Sequence, residues 1–323
     1  MATVANGSER IEIALTGGLA PDVIEALKAR FTLHTPYLEP EPLKAFAALG
    51  PRIRGAAGNG MSGLSALQIN ALPKLEIYSI MGVGLETTDL KACKARNITV
   101  TTAPVLYDDV ADIAITLALG VCRRLAEADR AVRRGDWRTW RPVGMGRKFS
   151  GLRCGILGLG RIGREVGRRL EGFTPHIAYY DPMPRDVPYR AAANPLELAR
   201  DSDVLFLCAA GQPKGVGKPL FDRAMIDALG PEGIFINVAR GWLADEVELI
   251  AALKEGRLAG AGLDVFDNEP SVPEELMKLE NTILTPHVAS LTRQTMRDMG
   301  NCVVDNLTTW FAEGRALTPV PNA

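Results

Sequence analysis

The chain has 323 residues, of which 47% are hydrophobic and 23% are charged, and its formal net charge is −1 at pH 7. This length favours two domains, and the near-zero charge argues against a nucleic-acid or anionic-membrane partner. The 5 cysteines contain no C-x-x-C pair, which predicts reduced thiols rather than disulfides or a metal site. Residues 1–10 lack a signal-peptide pattern, and no apolar stretch is long enough to span a bilayer, so we expect a cytoplasmic protein.

Strand and helix patterns alternate through the first third of the chain, after a loose tail at residues 1–9. Strands are predicted at Ile11–Leu15, Phe31–His34, Ile53–Ala57, Leu75–Ile80 and Ile98–Thr101. Helices are predicted at Asp22–Ala29, Leu64–Ala71 and Leu90–Arg96. This alternation predicts a parallel sheet with helices on both faces.

From Asp108 to Arg134, apolar residues recur at spacings of three and four, which predicts one long helix. The acidic residues Asp108 and Asp109 suit its N-terminus, and Gly135 suits its end. The pattern leaves open whether this helix packs in a core or against another domain or subunit.

The most informative motif of the chain is Gly158–Gly163. It is a G-x-G-x-x-G between a predicted strand at Cys154–Leu157 and a predicted helix. A second strand, Ile177–Tyr180, ends at Asp181, eighteen residues after the motif. This order predicts a dinucleotide site, because the glycines allow a tight turn and a close approach of the pyrophosphate to the helix N-terminus. Asp181 would accept the ribose hydroxyls. The same pattern at Gly58–Gly63 lacks such an acid and is predicted to be a loop.

Further strands are predicted at Asp203–Cys208, Ile234–Val238, Ala261–Val265 and Thr282–Leu284, with helices at Phe221–Leu229 and Glu246–Glu255. Together these predict a six-stranded, Rossmann-type doubly wound parallel sheet. A last helix, Thr292–Glu313, has no sheet of its own and is expected to return to the first domain. We therefore expect a discontinuous first domain, 1–104 and 290–323, and a dinucleotide-binding domain, 105–289, with a cleft between them.

Three strand ends of the second sheet carry residues suited to hydride transfer to a ketone. Arg240, Glu269 and His287 follow neighbouring strands, and the carboxyl ends of parallel strands share one edge. A lone histidine is more often structural, but His34 and His176 lie away from this edge and His287 does not. A histidine can supply the proton, a carboxylate can hold its tautomer, and a guanidinium can polarise the carbonyl.

These motifs resemble those of the D-isomer-specific 2-hydroxyacid dehydrogenases over nearly the whole chain. Besides the glycine loop, the resemblance is carried by Met81–Gly84 with Asp89, Asn237–Gly241, Gly260–Pro270 and Thr285–His287. The segments Tyr107–Asp112, Arg134–Trp137 and Leu317–Val320 are similar to the hydroxypyruvate and glyoxylate reductases of that family. The resemblance implies a Rossmann-type domain together with a flavodoxin-like α/β substrate domain.

The resemblance also implies roles for individual residues, with His287 as the acid/base, Glu269 as its partner and Arg240 as the residue that polarises the substrate. The implied cofactor residues are Gly158, Gly160, Arg161, Ile162, Gly163, Asp181, Val238, Ala239 and Asp264, the last facing the nicotinamide amide. The implied substrate residues are Val83 and Gly84, whose N–H groups would bind the carboxylate, together with Asn59, Gly60 and Met61. No metal site is expected.

The resemblance implies that the helix region 105–134 forms a homodimer interface. Trp140 matches a tryptophan that in some relatives reaches the partner's active site, although an aromatic side chain packed in the interface is an equally supported interpretation.

Asp181 favours NAD(H), because its charge repels a 2′-phosphate, although Arg185 partly offsets that charge and leaves NADP(H) open. The loop 209–217 departs from the family's usual sequence, so its cofactor contacts stay open.

We therefore expect a reductase of small 2-oxo acids such as hydroxypyruvate or glyoxylate. An aryl-pyruvate reductase, a phosphoglycerate-type dehydrogenase and a dinucleotide-responsive binding protein are the alternatives. The chain ends shortly after the last helix, without a regulatory domain, and no basic cluster stands out near residues 58–63, which weakens the phosphoglycerate alternative. Retention of all three catalytic residue types argues against a binding protein without activity.

Overall fold

The computed structural model describes residues 10–138, 143–211 and 213–321, and the chain divides into two compact units. Unit 1 comprises Met1–Leu106 and Thr292–Ala323, and unit 2 comprises Tyr107–Leu291. Within the described ranges, no helix combines the length and the apolar character needed to cross a membrane.

Unit 1 contains a five-stranded parallel sheet in the order β2-β1-β3-β4-β5. Its strands are β1 (Glu12–Leu15), β2 (Thr32–His34), β3 (Ile53–Asn59), β4 (Ile77–Met81) and β5 (Thr99–Thr101). Its first helices are α1 (Pro21–Arg30), α2 (Pro42–Leu49), α3 (Ala66–Ala71) and α4 (Leu90–Ala95). This strand order is the flavodoxin-like one, and it confirms the fold class expected for this part.

Helix α2 and a 3₁₀ turn at Pro36–Leu38 were not predicted from the sequence. Both begin with proline, which the sequence pattern treats as a sign of a loop. At the first position of a helix, however, proline suits the backbone and loses no hydrogen bond.

Helix α12 (Arg293–Glu313) belongs to unit 1, as expected for a helix without a sheet of its own. It packs against α1 and β4, with Val303 and Leu307 fully buried. The buried Asn306 accepts the N–H groups of Leu317 and Thr318 at 2.9 and 3.0 Å, and it thereby holds the segment that follows.

Unit 2 contains a second parallel sheet, in the order β12-β11-β10-β9-β6-β7-β8. Its strands are β6 (Cys154–Leu157), β7 (Ile177–Tyr180), β8 (Arg190–Ala191), β9 (Val204–Leu207), β10 (Ile234–Asn237), β11 (Gly260–Leu263) and β12 (Thr282–Leu284). The direction of winding reverses between β6 and β9, as in doubly wound nucleotide-binding sheets. The prediction of six strands missed β8, which has only two residues, both exposed.

The helices of unit 2 are α5 (Tyr107–Cys122), α6 (Leu125–Arg133), α7 (Arg161–Leu170), α8 (Pro195–Arg200), α9 (Arg223–Leu229), α10 (Glu246–Glu255) and α11 (Glu274–Met277). The predicted single helix from Asp108 to Arg134 is wrong, because the chain breaks between α5 and α6. Arg124 adopts a left-handed conformation there, with φ 50°, and its guanidinium binds Glu127 at 2.5 Å. The N–H of Arg147 donates to the carbonyl of Cys122 at 2.7 Å. A backbone carbonyl at the end of α5 thus finds its hydrogen-bond partner outside the helix.

Ion pairs join α5 to α7. The Arg169 side chain, 18% exposed, binds Asp108 at 3.0 Å, Asp112 at 2.5 Å and Glu165 at 2.9 Å. Burial alone would lower the pKa of Arg169, but hydrogen bonds from these carboxylates outweigh it and raise that pKa. Arg168 binds Asp108 and Glu165 with a side chain that is 60% exposed.

We expect Arg169→Met to lower the free energy of unfolding by about 2 kcal/mol, because it removes a largely buried guanidinium that bonds three carboxylates, of which only Asp108 and Glu165 keep a second cation in Arg168. Arg168→Met is the matched control and should cost less than about 1 kcal/mol, because its pairs are open to solvent. Urea denaturation of both variants measures the difference. Equal losses would contradict the assigned role of Arg169.

Candidate active site

The glycine loop of unit 2 has the geometry that its motif predicts. Gly158 has φ 93°, and a Cβ there would lie 2.4 Å from Cα of Ala209, at the end of the neighbouring strand. A Cβ on Gly163 would lie 2.2 Å from the carbonyl oxygen of Gly158, so α7 packs tightly on the turn. A Cβ on Gly160 would meet none of the described residues within 4 Å. The backbone ahead of α7 is therefore open to a ligand, and helix N-termini of this kind bind phosphate.

Asp181 lies at the end of β7 with a side chain that is only 8% exposed. Its carboxylate accepts the N–H of Leu159 in the glycine loop at 2.9 Å and the N–H of Met183 at 3.0 Å. Arg185 donates to the same carboxylate at 2.9 Å. Burial alone would raise the pKa of Asp181, but these hydrogen bonds outweigh it and lower that pKa. An ionised acid thus stands directly beside the glycine loop.

Arg161, the first residue of α7, is held by an aromatic neighbour. Its guanidinium lies over the ring of Tyr107, 5.5 Å from the ring centroid, and donates to the Tyr107 hydroxyl at 2.6 Å. Ile162 follows it in the first turn of α7.

His287 and Glu269 form a pair, as predicted from their strand ends. His287 Nδ1 lies 2.7 Å from Glu269 Oε2, and the N–H of Phe266 donates to Glu269 Oε1 at 3.0 Å. Burial alone would raise the pKa of Glu269, but the bonds from His287 and Phe266 and the charge of Arg240 outweigh it and lower that pKa. Because Glu269 is ionised, Nδ1 of His287 is the donor, and Nε2 is the nitrogen left for proton exchange.

Asp264 organises the loop that carries His287. Its carboxylate, in a residue only 1% exposed, accepts the hydroxyl of Thr285 at 2.7 Å and the N–H groups of Val288 and Ala289 at 2.9 and 3.0 Å. Its carbonyl accepts the N–H of His287 at 2.8 Å. His287 itself has φ 52°, a left-handed conformation that is uncommon for a non-glycine residue. Sequence reasoning missed this role, although an acid inside an apolar strand was a signal for it.

Arg240 lies on a turn after β10 that is shaped by the buried Asn237. The Asn237 amide donates to the carbonyl of Arg240 at 3.0 Å and accepts the N–H of Ala239 at 3.0 Å, which places Val238 and Ala239 at the strand end. Arg240 also donates to the carbonyl of Ala239 at 2.7 Å. The charge of Arg240 also helps to lower the pKa of Glu269, which places the Arg240 guanidinium in the surroundings of that carboxylate.

The predicted substrate residues of unit 1 lie at the ends of β3 and β4. Asn59 accepts the N–H groups of Met61 and Ser62 at 2.9 Å and forms a tight turn there. A Cβ on Gly60 would lie 3.7 Å from the carbonyl oxygen of Gly84, so this turn and the loop containing Val83 are adjacent. Of the predicted loop Gly58–Gly63, the first two residues belong to β3 instead, because they pair with Ile80 and Met81 of β4, and only residues 60–63 lie outside helices and strands. Trp140 lies outside the described residues.

Residues 115–289 match the model for the D-isomer specific 2-hydroxyacid dehydrogenase NAD binding domain. The chain is 43% identical to hydroxyphenylpyruvate reductase of Plectranthus scutellarioides, over 97% of this chain and 99% of that protein. It is 44% identical to glyoxylate/hydroxypyruvate reductase A of Arabidopsis thaliana, over 91% of this chain and 94% of that protein.

Among solved structures, it is similar to the NADPH-dependent glyoxylate/hydroxypyruvate reductase of Sinorhizobium meliloti in complex with NADP and malonate. The TM-score is 0.88 at 37% identity, covering 97% of this chain and 98% of that one. The chain therefore belongs to the D-isomer specific 2-hydroxyacid dehydrogenase family. It is an NAD(P)-binding oxidoreductase of 2-hydroxy and 2-oxo acids, which confirms the family, enzyme class and cofactor type expected from the sequence.

We expect Glu269→Gln to lower the free energy of unfolding at pH 7 by about 1 kcal/mol, because it removes a charged hydrogen-bond acceptor. Folding lowers the pKa of Glu269, so its contribution is present above the unfolded value and is lost as the pH falls through the folded value. The difference from wild type should therefore shrink below about pH 4. Denaturation at several pH values checks this, with the exposed Glu275→Gln as control. A difference that does not change with pH would contradict it.

Proposed function

We propose that this protein is a cytoplasmic, homodimeric reductase of small 2-oxo acids such as hydroxypyruvate and glyoxylate. Its products are D-2-hydroxy acids, except that glycolate, formed from glyoxylate, has no chiral centre. NADH is the preferred reductant. The observation that carries the proposal is the 2.7 Å pair of His287 and Glu269 beside Arg240, in the unit that also contains the glycine loop. These are the groups that carbonyl reduction requires.

The residues present fit a dinucleotide, because the backbone at Gly160 is open and Asp181 stands beside it as an ionised acceptor. When bound, the nicotinamide cofactor supplies the hydride. His287 donates a proton from Nε2 to the carbonyl oxygen, and Glu269 stabilises the imidazolium and its tautomer. Arg240 polarises the same carbonyl through its guanidinium. In the oxidation direction, His287 accepts the proton.

On the substrate side, we assign the N–H groups of Val83 and Gly84 to the carboxylate, with Asn59, Gly60 and Met61 near the substituent. The glyoxylate and hydroxypyruvate reductases among the relatives support small substrates. An aryl-pyruvate is the second candidate, since the hydroxyphenylpyruvate reductase is 43% identical and Met61 is 67% exposed. Rates with hydroxypyruvate, glyoxylate and hydroxyphenylpyruvate, compared directly, decide between them.

Two features support the proposed assembly and location. Among the exposed apolar side chains of the described residues, four lie on α6 and the segment after it: Leu125 is 59%, Val132 56%, Trp137 65% and Met145 85% exposed. A second copy of the chain would bury them; Leu125 and Val132 belong to the 105–134 region, and Trp137 and Met145 follow it. All 5 cysteines are free thiols, which suits a reducing compartment.

We expect His287→Gln to reduce turnover by a factor of about 10² to 10⁴, because the proton donor is lost. Binding of NADH, followed by its fluorescence, should change little. His176 lies just before β7, at the opposite end of the strands from the proposed site, so His176→Gln should keep the wild-type rate. If turnover of every 2-oxo acid tested survives in His287→Gln, the proposed mechanism is wrong.

Cofactor preference should depend on Arg185, whose charge offsets that of Asp181 beside the ribose position. We expect Arg185→Met to lower kcat/KM for NADPH by about 10- to 100-fold, because a charge-assisted contact to the 2′-phosphate is lost. The value for NADH should change much less and serves as the internal control. An equal fall with both cofactors would show that Arg185 only supports the fold.

A further inference from the structure

A lysine joins the loop after β9 to the turn that carries Glu269. Lys214 Nζ donates to the carbonyl of Asp267 and to Oδ1 of Asn268, both at 2.6 Å. It also pairs with the Asp267 carboxylate at 3.2 Å.

The turn at 266–271 is held from several sides. The N–H of Asp267 donates to Glu246, the first residue of α10, at 3.0 Å, and Lys214 binds the carbonyl of the same residue. Both backbone polar groups of Asp267 are thus fixed by side chains from other elements. Two residues further on is Glu269, whose carboxylate lies between the N–H of Phe266 and the imidazole of His287.

Lys214 also balances charge beside this turn. Burial raises the pKa of Glu246, and the nearby Asp267 carboxylate raises it further, whereas Lys214 lowers it. Without the ammonium group, these two carboxylates would repel each other at the turn next to Glu269. Arg240, whose charge also lowers the pKa of Glu269, belongs to a different turn, after β10.

Residues 213–218 of the loop are exposed. A cavity of about 280 Å³ lies beneath it, lined by Lys214, Val216, Trp242 and Asp267 among others. Lys214 supplies the hydrogen bonds and the ion pair that link the exposed residues 214–217 to the 266–271 turn.

We propose that Lys214 is a positioning residue for the acid/base pair, holding Asp267 and Asn268 so that the Glu269 carboxylate stays aligned with Nδ1 of His287. This inference rests on the proposed reduction of 2-oxo acids. It assigns to Lys214 no contact with substrate or cofactor.

The test compares Lys214→Met with Lys218→Met, a neighbouring exposed lysine that makes no side-chain hydrogen bond within residues 143–211 and 213–321. We expect Lys214→Met to lower kcat for reduction by about three- to tenfold. The alkaline limb of its pH profile should move to lower pH by about half a unit, because a displaced Glu269 supports the imidazolium less well. KM for NADH should stay within about twofold, and Lys214→Arg should restore most of the rate.

A double variant separates this role from a general effect on stability. In a Glu269→Gln background, Lys214→Met should move the alkaline limb no further, because the group through which it acts is gone. The inference is overturned if Lys214→Met behaves like Lys218→Met, or if it raises KM for NADH without moving the limb. A wild-type protein that reduces no 2-oxo acid would instead refute the proposed function.

Discussion

The position of His287 depends on one buried carboxylate, that of Asp264. Three donors from the segment 285–289 bind this carboxylate, and the backbone carbonyl of Asp264 accepts a hydrogen bond from the N–H of His287. A carboxylate in a residue 1% exposed is stable only with such a full set of partners. The segment therefore has one arrangement, and the left-handed backbone of His287 is maintained by the bonds on either side of it. The imidazole reaches Glu269 as a result of this arrangement.

The carboxylate of Asp181 has a comparable role beside the glycine loop of the same sheet. Asp181 accepts the N–H of Leu159, so the end of β7 and the glycine loop are bonded before any ligand arrives. This bond preorganises the acceptor for a ribose, and it sets how close Arg185 lies to that position. Under the proposed function, the discrimination between NADH and NADPH would depend on the balance of charge within the Asp181–Arg185 ion pair rather than on the presence or absence of an acid.

Much of this arrangement followed from the sequence. Apolar runs placed the strands, and the topology of parallel sheets then brought Arg240, Glu269 and His287 to one edge without knowledge of any contact. The failures have physical causes. The break at Arg124 carries no glycine or proline, because it is stabilised by Glu127 and by the distant Arg147. Strand β8 is too short and exposed to show a pattern, and the inward role of Asp264 depends on partners more than twenty residues away.

The same reasoning explains why the residues around the catalytic pair are harder to recognise than the pair itself. His287 and Glu269 are identified by residue type, because few side chains can exchange a proton near neutral pH. Lys214 and Glu246 are common surface residue types, and both bind the 266–271 turn at Asp267 and Asn268 rather than Glu269 itself. A sequence pattern records which groups are present, whereas the proposed alignment of the 2.7 Å bond between His287 and Glu269 depends on contacts between residues that lie far apart in the chain. Substitutions in such supporting residues can therefore alter the reaction while every motif of the family is retained.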